Sequence, residues 1–161
     1  MAIQVGDKIP EVTLLTLDRQ GTPSPVRTGE LFRGRRAVLI AVPGAFTPTC
    51  SDHHLPGYVL RADELHAKGV DLIACTAVND AYVMAAWGKA RGAGDKVMML
   101  ADGNGELARA MGLEADLTRF GLGHRSRRYA AILEDGVVRA LRVEQPGQLE
   151  VSTAEAVLAE L

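Results

Sequence analysis

Residues 37–51 of this chain read AVLIAVPGAFTPTCS, and they combine a buried strand, a turn and the start of a helix. The apolar run over residues 37–42 is typical of a strand whose two faces are both covered. Two prolines and a glycine follow, and because they cannot continue a sheet ladder, the chain must leave the sheet there. Beyond Cys50 apolar residues recur at helical spacing, so we expect Cys50 where the turn passes into a helix.

The position of Cys50 favours a reactive thiol. Backbone N–H groups at a helix start have no intrahelical partner, and together with the positive end of the helix dipole they favour a thiolate. The alternative is that Cys50 is a small buried hydrophobe, as free cysteines often are. Thr47 takes the place of the first cysteine of a Cys-x-x-Cys redox motif, which disfavours disulfide exchange. A thiolate with a hydroxyl three residues earlier suits attack on a bound oxygen, which leaves a sulfenic acid.

The composition limits the classes of protein to consider. The 161 residues predict a single domain over residues 1–161. The net charge of −2 argues against a nucleic-acid partner, and no apolar run approaches the length of a membrane span. The N-terminus lacks the pattern of a signal peptide, and two cysteines are too few for a secreted disulfide scaffold. We therefore expect a cytoplasmic protein, and leave open an organelle-targeting extension removed before residue 1.

The rest of the chain alternates strands and helices. Apolar runs predict strands over residues 12–17, 70–77, 97–101, 129–133 and 137–143, the last two joined by an Asp-Gly hairpin turn. Helical patterns cover residues 79–90 and 106–111, and a short helix is expected at 29–32. Ser152 and Glu155 form a capping box that predicts a last helix over 152–161. The helix after Cys50 should kink at Pro56 and Gly57 and end near Gly69. This order predicts an α/β thioredoxin-like fold with a mixed central sheet flanked by helices.

The motif Pro43-x-x-x-Thr47-x-x-Cys50 resembles the active-site motif of the peroxiredoxins. Its longer form, PGAFTPTCS over residues 43–51, resembles the type II, or peroxiredoxin-five-like, subfamily. The resemblance continues through residues 55–58, 77–80, 87–88 and 125–129. It implies the same thioredoxin-like fold and a thiol peroxidase that reduces hydrogen peroxide and organic hydroperoxides through a Cys50 sulfenic acid. We expect no cofactor.

The resemblance also assigns roles in the site. It implies that the Thr47 hydroxyl contacts Cys50 and the peroxide, whereas the residue pattern alone equally suits a turn threonine that caps backbone groups. Pro43 is expected to shield the thiol. Strand alternation places Arg128 on the apolar face of residues 130 and 132, and the family's active-site arginine, which precedes an aromatic residue, matches Arg128. Arg125 is expected to help position it.

Two histidines after Cys50 raise the question of a metal site. Zinc needs three or four convergent ligands, and beyond Cys50, His53 and His54 only Cys75 is a plausible fourth, so we expect no metal. His54 as a base for Cys50 is the other alternative. The resemblance aligns His54 with the helix-start histidine of the family, which implies a supporting role.

The cysteines indicate how Cys50 would be returned to the thiol. Val151 stands where two-cysteine members of the subfamily carry a resolving cysteine, and Cys75 is expected to pack inside a strand. We therefore expect a one-cysteine cycle in which glutathione with glutaredoxin, or else thioredoxin, reduces Cys50. The resemblance implies a homodimer. A non-enzymatic alternative is a redox sensor or interaction module that passes oxidation to a partner protein.

Overall fold

A computed structural model describes residues 2–161, and its centre is a seven-stranded mixed sheet. The strands are β1 Thr13–Leu17, β2 Pro23–Arg27, β3 Arg36–Ala41, β4 Leu72–Ala77, β5 Met98–Ala101, β6 Glu114–Asp116, β7 His124–Ser126, β8 Tyr129–Glu134 and β9 Val137–Val143. The α-helices are α1 Thr28–Leu31, α2 Leu55–Leu60, α3 Ala62–Ala67, α4 Ala81–Ala90, α5 Glu106–Met111 and α6 Ala154–Leu158.

The seven-stranded sheet has the strand order β2-β1-β5-β4-β3-β8-β9. The other two strands, β6 and β7, pair antiparallel in a separate two-stranded sheet, the β6–β7 ribbon. Strands β3, β4 and β5 run parallel at the centre, while β8 is antiparallel to β3 and pairs with β9 in the predicted hairpin. The hairpin turn has positive φ at Asp135 and Gly136, as an Asp-Gly turn requires. The prediction of a thioredoxin-like α/β fold with a mixed sheet is confirmed.

The sheet is covered on both faces, which explains the unbroken apolar runs of its central strands. One core cluster contains Val38, Ile40 and Cys75 and packs against side chains of α2, α3 and α4. The other contains Leu39 and Ala74 and packs against α5. The functional thiol predicted from sequence, Cys50, belongs to the first cluster.

Strand β2 was not predicted, because its segment is polar and holds Pro23 and Pro25. It lies at the edge of the sheet and pairs only with β1 among residues 2–161. Proline is tolerated at a sheet edge, where an N–H is not needed on the solvent side. The short helix that was predicted at 29–32 begins one residue earlier, at Thr28.

The helix after Cys50 is interrupted at other places than predicted. It begins with a π-helical turn, Cys50–His54, in which the Leu55 N–H donates to the Cys50 carbonyl. Pro56 lies in the first turn of α2, where its missing N–H costs little. The helix breaks again at Arg61, between α2 and α3, and ends before Gly69 as expected.

The last helix begins one residue later than the predicted capping box implies. Thr153 is its N-cap, and the Thr153 hydroxyl accepts the N–H of Ala156 at 3.1 Å. The hydroxyl of Ser152 donates to Glu144 instead. Within residues 2–161, none of the helices has the length and apolar character needed to cross a bilayer.

Candidate active site

Cys50 begins the π-helical turn that follows β3 and the proline-rich turn. Only 1% of its surface is exposed. The preceding segment is tied down by backbone hydrogen bonds, from Val42 to Thr76 of β4 and from Ser51 back to Thr47. Single turns of π-helix are frequently found at functional sites. The sequence therefore presents a buried thiol at the junction of a central strand and a helix.

Arg128 lies against Cys50. Its Nη2 donates to the Cys50 Sγ at 3.0 Å, and it directly precedes β8. Ala130 and Ile132 share the core cluster of Cys50, while Tyr129 belongs to the opposite one. The alternation along β8 thus brings the guanidinium to the thiol side of the sheet. A guanidinium keeps its charge under all ordinary conditions, so the sulfur always has a cation beside it.

His54 holds the other branch of the same guanidinium. Nη1 of Arg128 lies 2.9 Å from Nδ1 of His54, and Nε2 of His54 lies 3.0 Å from the Ser152 carbonyl. Because a guanidinium can only donate, Nδ1 accepts and the ring proton sits on Nε2, which donates to Ser152. Burial, and then the charge of Arg128, lowers the pKa of His54 to about 4. His54 is therefore neutral, with both nitrogens engaged, and this argues against its role as a base for Cys50.

The Ser152 carbonyl is itself anchored. It also accepts the hydroxyl of Tyr58 at 2.7 Å, and the Ser152 N–H and hydroxyl both donate to Glu144. Burial acts to raise the pKa of Glu144, but hydrogen bonds from Ser152, Glu150 and Val151 outweigh it and lower that pKa. Glu144 is therefore ionised when it holds this segment.

The Thr47 hydroxyl donates its proton within its own turn. It donates to the Gly44 carbonyl at 2.7 Å, and no hydrogen bond within residues 2–161 joins it to Cys50. The proton of this hydroxyl therefore caps a backbone carbonyl, as the turn-capping alternative predicts, and the role of Thr47 towards Cys50 and the peroxide stays a prediction. Its lone pairs stay available to accept a hydrogen bond from a bound molecule.

The turn that carries Pro43 is held from several sides. Arg125 donates to the Pro43 carbonyl at 3.3 Å, and a Cβ on Gly44 would lie 3.1 Å from the same Arg125 nitrogen. The Ala45 N–H donates to the side chain of Asn79. Phe46 has a φ of 64°, which is unusual for a residue with a bulky side chain. Arg125 thus positions the turn, whereas we had expected it to position Arg128.

A cavity of about 660 Å³ adjoins the buried thiol. Pro43, Thr49 and Arg128 form its wall on the side of Cys50. Its other lining residues come from the β6–β7 ribbon and from the loop after β9, among them Leu117, Phe120, Ser126 and Pro146. Cys50 itself does not line this cavity, but Arg128, which does, contacts the Cys50 sulfur directly.

Cys75 and the histidines do not form a second centre. Cys75 is fully buried within β4, and burial raises the pKa of its thiol. Both cysteines are free thiols. Among residues 2–161 no group of three His, Cys, Asp or Glu side chains is placed to hold a metal ion.

The sequence analysis did not predict the roles of some residues in the site. Trp87 Nε1 donates to the Ser51 hydroxyl at 2.7 Å, and this buried contact ties α4 to the π-helical turn. Glu144 lies outside the quoted motifs, and Ser152 was assigned to a helix cap. Partners that are close in space but distant in the chain carry no local signal, so only the structure finds them.

The comparisons with known proteins agree with this geometry. The family model described as Redoxin matches residues 4–158. The chain is 56% identical over 160 residues to Peroxiredoxin-2E-2, chloroplastic, of Oryza sativa subsp. japonica, covering 97% of this chain and 71% of the relative. It is 45% identical over 156 residues to Peroxiredoxin-2B of Arabidopsis thaliana, covering 97% and 96%. The crystal structure of reduced Prx3 from Vibrio vulnificus in complex with H₂O₂ has a TM-score of 0.94, with 52% identity and 98% of each chain covered. The chain therefore belongs to the redoxin family, as a peroxiredoxin of the type II subfamily.

Proposed function

We propose that this chain is a thiol peroxidase that reduces hydrogen peroxide and organic hydroperoxides to water and alcohols. The observation that carries the proposal is the 3.0 Å contact between Nη2 of Arg128 and Sγ of Cys50. Membership of the peroxiredoxin family supports it, as does the similar Vibrio vulnificus protein crystallised with H₂O₂. Cys50, Thr47 and Arg128 are the proposed catalytic residues, and Pro43 is the proposed shield of the thiol.

The proposed reaction is a two-electron transfer from sulfur to oxygen. The Cys50 thiolate forms a bond to one oxygen of the hydroperoxide while the O–O bond breaks. The second oxygen leaves with the electron pair of that bond and takes up a proton, which yields water or an alcohol. The sulfur is oxidised to a sulfenic acid, and the peroxide is reduced.

Ionisation of a thiol explains only part of the rate such an enzyme needs. An ordinary thiol with a pKa of about 8.5 is already a few per cent ionised at neutral pH, so complete ionisation gains only about 30-fold. A larger acceleration requires fixed groups that stabilise the leaving oxygen. Arg128 supplies a partly buried cation for that charge. Thr47 supplies a hydroxyl whose proton is committed to Gly44, so its oxygen accepts the O–H of the peroxide.

Recycling of Cys50 is proposed to need an outside thiol. Val151 offers no thiol in the segment before α6, and Cys75 is buried within β4. A thiol such as glutathione would attack the sulfenic acid, releasing water and forming a mixed disulfide, which a second thiol then reduces. We propose glutathione with glutaredoxin as this system, and thioredoxin is the alternative reductant.

Three further proposals concern the protein as a whole. We propose that the chain folds as one domain and associates as a homodimer, which sedimentation at tens of micromolar would test. An observation of monomer only at that concentration would remove the dimer. A cytoplasmic location stays a prediction, and the similar 2E-type plant relatives have names that include chloroplastic.

A steady-state assay of peroxide consumption tests the proposed function. The purified chain is supplied with hydrogen peroxide and either glutathione with glutaredoxin or thioredoxin with its reductase. We expect turnover by the wild type and none by Cys50→Ser. The reductant system that supports the faster turnover identifies the partner. If neither reductant sustains turnover, yet the thiol reacts rapidly with peroxide, the sensor alternative is favoured.

A further inference from the structure

A single carboxylate oxygen collects four donors beside the loop that follows β9. Oε2 of Glu144 accepts the N–H groups of Glu150, Val151 and Ser152 at 2.8, 2.9 and 2.8 Å, and the Ser152 hydroxyl at 2.6 Å. Glu144 is only 4% exposed. Hydrogen bonds to a charged acceptor are roughly twice as strong as neutral ones, so residues 150–152 are held firmly.

The anchored segment is connected to the sulfur by an unbroken series of hydrogen bonds. The Ser152 carbonyl accepts from His54, His54 accepts from Nη1 of Arg128, and Nη2 of Arg128 donates to Cys50. We name this series from Glu144 to Cys50 the arginine relay. The backbone adds a second link, because the Glu144 N–H donates to the Arg128 carbonyl at 2.9 Å.

We propose that Glu144 is a positioning residue that fixes the guanidinium of Arg128 on the Cys50 sulfur through the arginine relay. An arginine side chain has about 2 kcal/mol of rotamer entropy to lose, so it needs a fixed acceptor to hold one geometry. The His54 ring is such an acceptor only while the Ser152 carbonyl is itself fixed. Glu144 holds the Ser152 backbone through the Ser152 N–H and hydroxyl, and within residues 2–161 its carboxylate makes no hydrogen bond to the Arg128 side chain or to the thiol.

A double-mutant cycle tests this role. Its kinetic readout, the rate of Cys50 oxidation by peroxide, rests on the proposed function. The variant Glu144→Gln keeps the shape of the side chain and removes its charge, and Glu150→Gln is the matched control in the same loop. We expect Glu144→Gln to slow the oxidation of Cys50 by hydrogen peroxide about tenfold, the equivalent of one well-placed hydrogen bond. In an Arg128→Met background the same change should cost nothing further, because coupled residues are not additive. Glu150→Gln should have no effect in either background.

Two kinetic results would overturn the proposal. One is an equal loss of rate in both backgrounds, which would mean a general structural role for Glu144. The other is no loss in the wild-type background. Should Glu144→Gln fail to fold, Ser152→Ala removes one of the four donors, and a loss of about threefold with the same dependence on Arg128 is then expected.

The ring of His54 supplies a readout that does not depend on peroxide chemistry. Nitrogen NMR of the wild-type protein should show a bare Nδ1 and a protonated Nε2, and Glu144→Gln should yield a mixture of the two tautomers. A single unchanged tautomer in that variant contradicts the arginine relay. If the wild type fails to react with peroxide and Glu144→Gln still produces the tautomer mixture, the proposed function is wrong and the arginine relay stands.

Discussion

Nη2 of Arg128 lies 3.0 Å from Sγ of Cys50, although 78 positions separate the two residues in the chain. The contact exists because β3 and β8 are neighbours in the sheet, so the end of one strand meets the start of the other. A cation held this close serves both the thiolate and the charge that develops on a leaving oxygen. The first prediction concerns how far these two effects can be separated.

Replacement of Arg128 by methionine should lower the rate of Cys50 oxidation by about a hundredfold or more, as the loss of one preorganised donor does in other active sites. The loss should persist at high pH, well above the pKa of about 8.5 of an ordinary thiol. Arg139→Met is the matched control, since Arg139 is exposed and pairs with Glu134. Full recovery of the Arg128→Met rate at high pH would show that Arg128 only ionises the thiol.

The hydroxyl of Thr47 is expected to matter more than its methyl group. Thr47→Val should lower the peroxide rate constant at least tenfold, because the peroxide loses an acceptor, and Thr47→Ser should retain most activity. Both variants keep the volume of the turn approximately. Loss of the hydrogen bond to Gly44 should cost Thr47→Val about 1 kcal/mol of unfolding free energy. Equal activity of the two variants would exclude a role for the hydroxyl.

Burial of neutral His54 should make stability depend on pH in the mildly acidic range. Between pH 6.5 and about 4 the unfolded chain binds a proton at this residue and the folded chain does not, because the folded pKa is about 4. The free energy of unfolding should therefore fall by about 3 kcal/mol as the pH falls across this window. The charged groups that face the ring are Arg128 and Glu144.

Urea denaturation at several pH values measures this effect, with His54→Asn as the comparison. Asparagine keeps an acceptor near the position of Nδ1 but does not titrate. The wild type should lose stability from pH 6.5 to 4 more steeply than His54→Asn. Parallel pH profiles for the two proteins would mean that His54 titrates normally in the folded state.

Cys75 should be dispensable for turnover. Cys75→Ala keeps the site apolar and removes the second thiol, so turnover with glutathione and glutaredoxin should be close to that of the wild type. Serine at this position would bury a hydroxyl, which costs stability for reasons unrelated to chemistry. Intact-mass analysis after peroxide treatment checks this prediction. A rapid loss of two hydrogens from the wild type, with Cys50 and Cys75 joined by a disulfide in one mapped peptide, would show that Cys75 takes part in turnover.

The centre of the fold was predictable because its determinants are local. The apolar runs of β3, β4 and β5 and the Asp-Gly hairpin are all visible in short windows of sequence. The β6–β7 ribbon was not predicted, because its strands have three residues each and flank a glycine-rich loop. These two strands are too short for an alternation of apolar and polar residues to be recognised.

The candidate site was predictable only in part. Cys50 is marked by its turn, and Arg128 by the alternation of the strand that it precedes, with the family resemblance in support. The direction of the Thr47 hydroxyl was not predictable, because a serine or threonine in a turn has both backbone and side-chain partners within reach. The link from Glu144 to His54 runs through a main-chain carbonyl, which no side-chain pattern records.

The central claim is that Cys50 attacks a peroxide and that Arg128, whose Nη2 lies against the Cys50 sulfur, assists this attack. A single-turnover stopped-flow measurement tests it, with one equivalent of hydrogen peroxide, no reductant, and dimedone to label the sulfenic acid for peptide mapping. We predict a label on Cys50 and a rate constant that exceeds that of free cysteine by more than the roughly 30-fold that ionisation alone can supply. A rate constant no greater than that of free cysteine, or a label on Cys75 in place of Cys50, would contradict the claim.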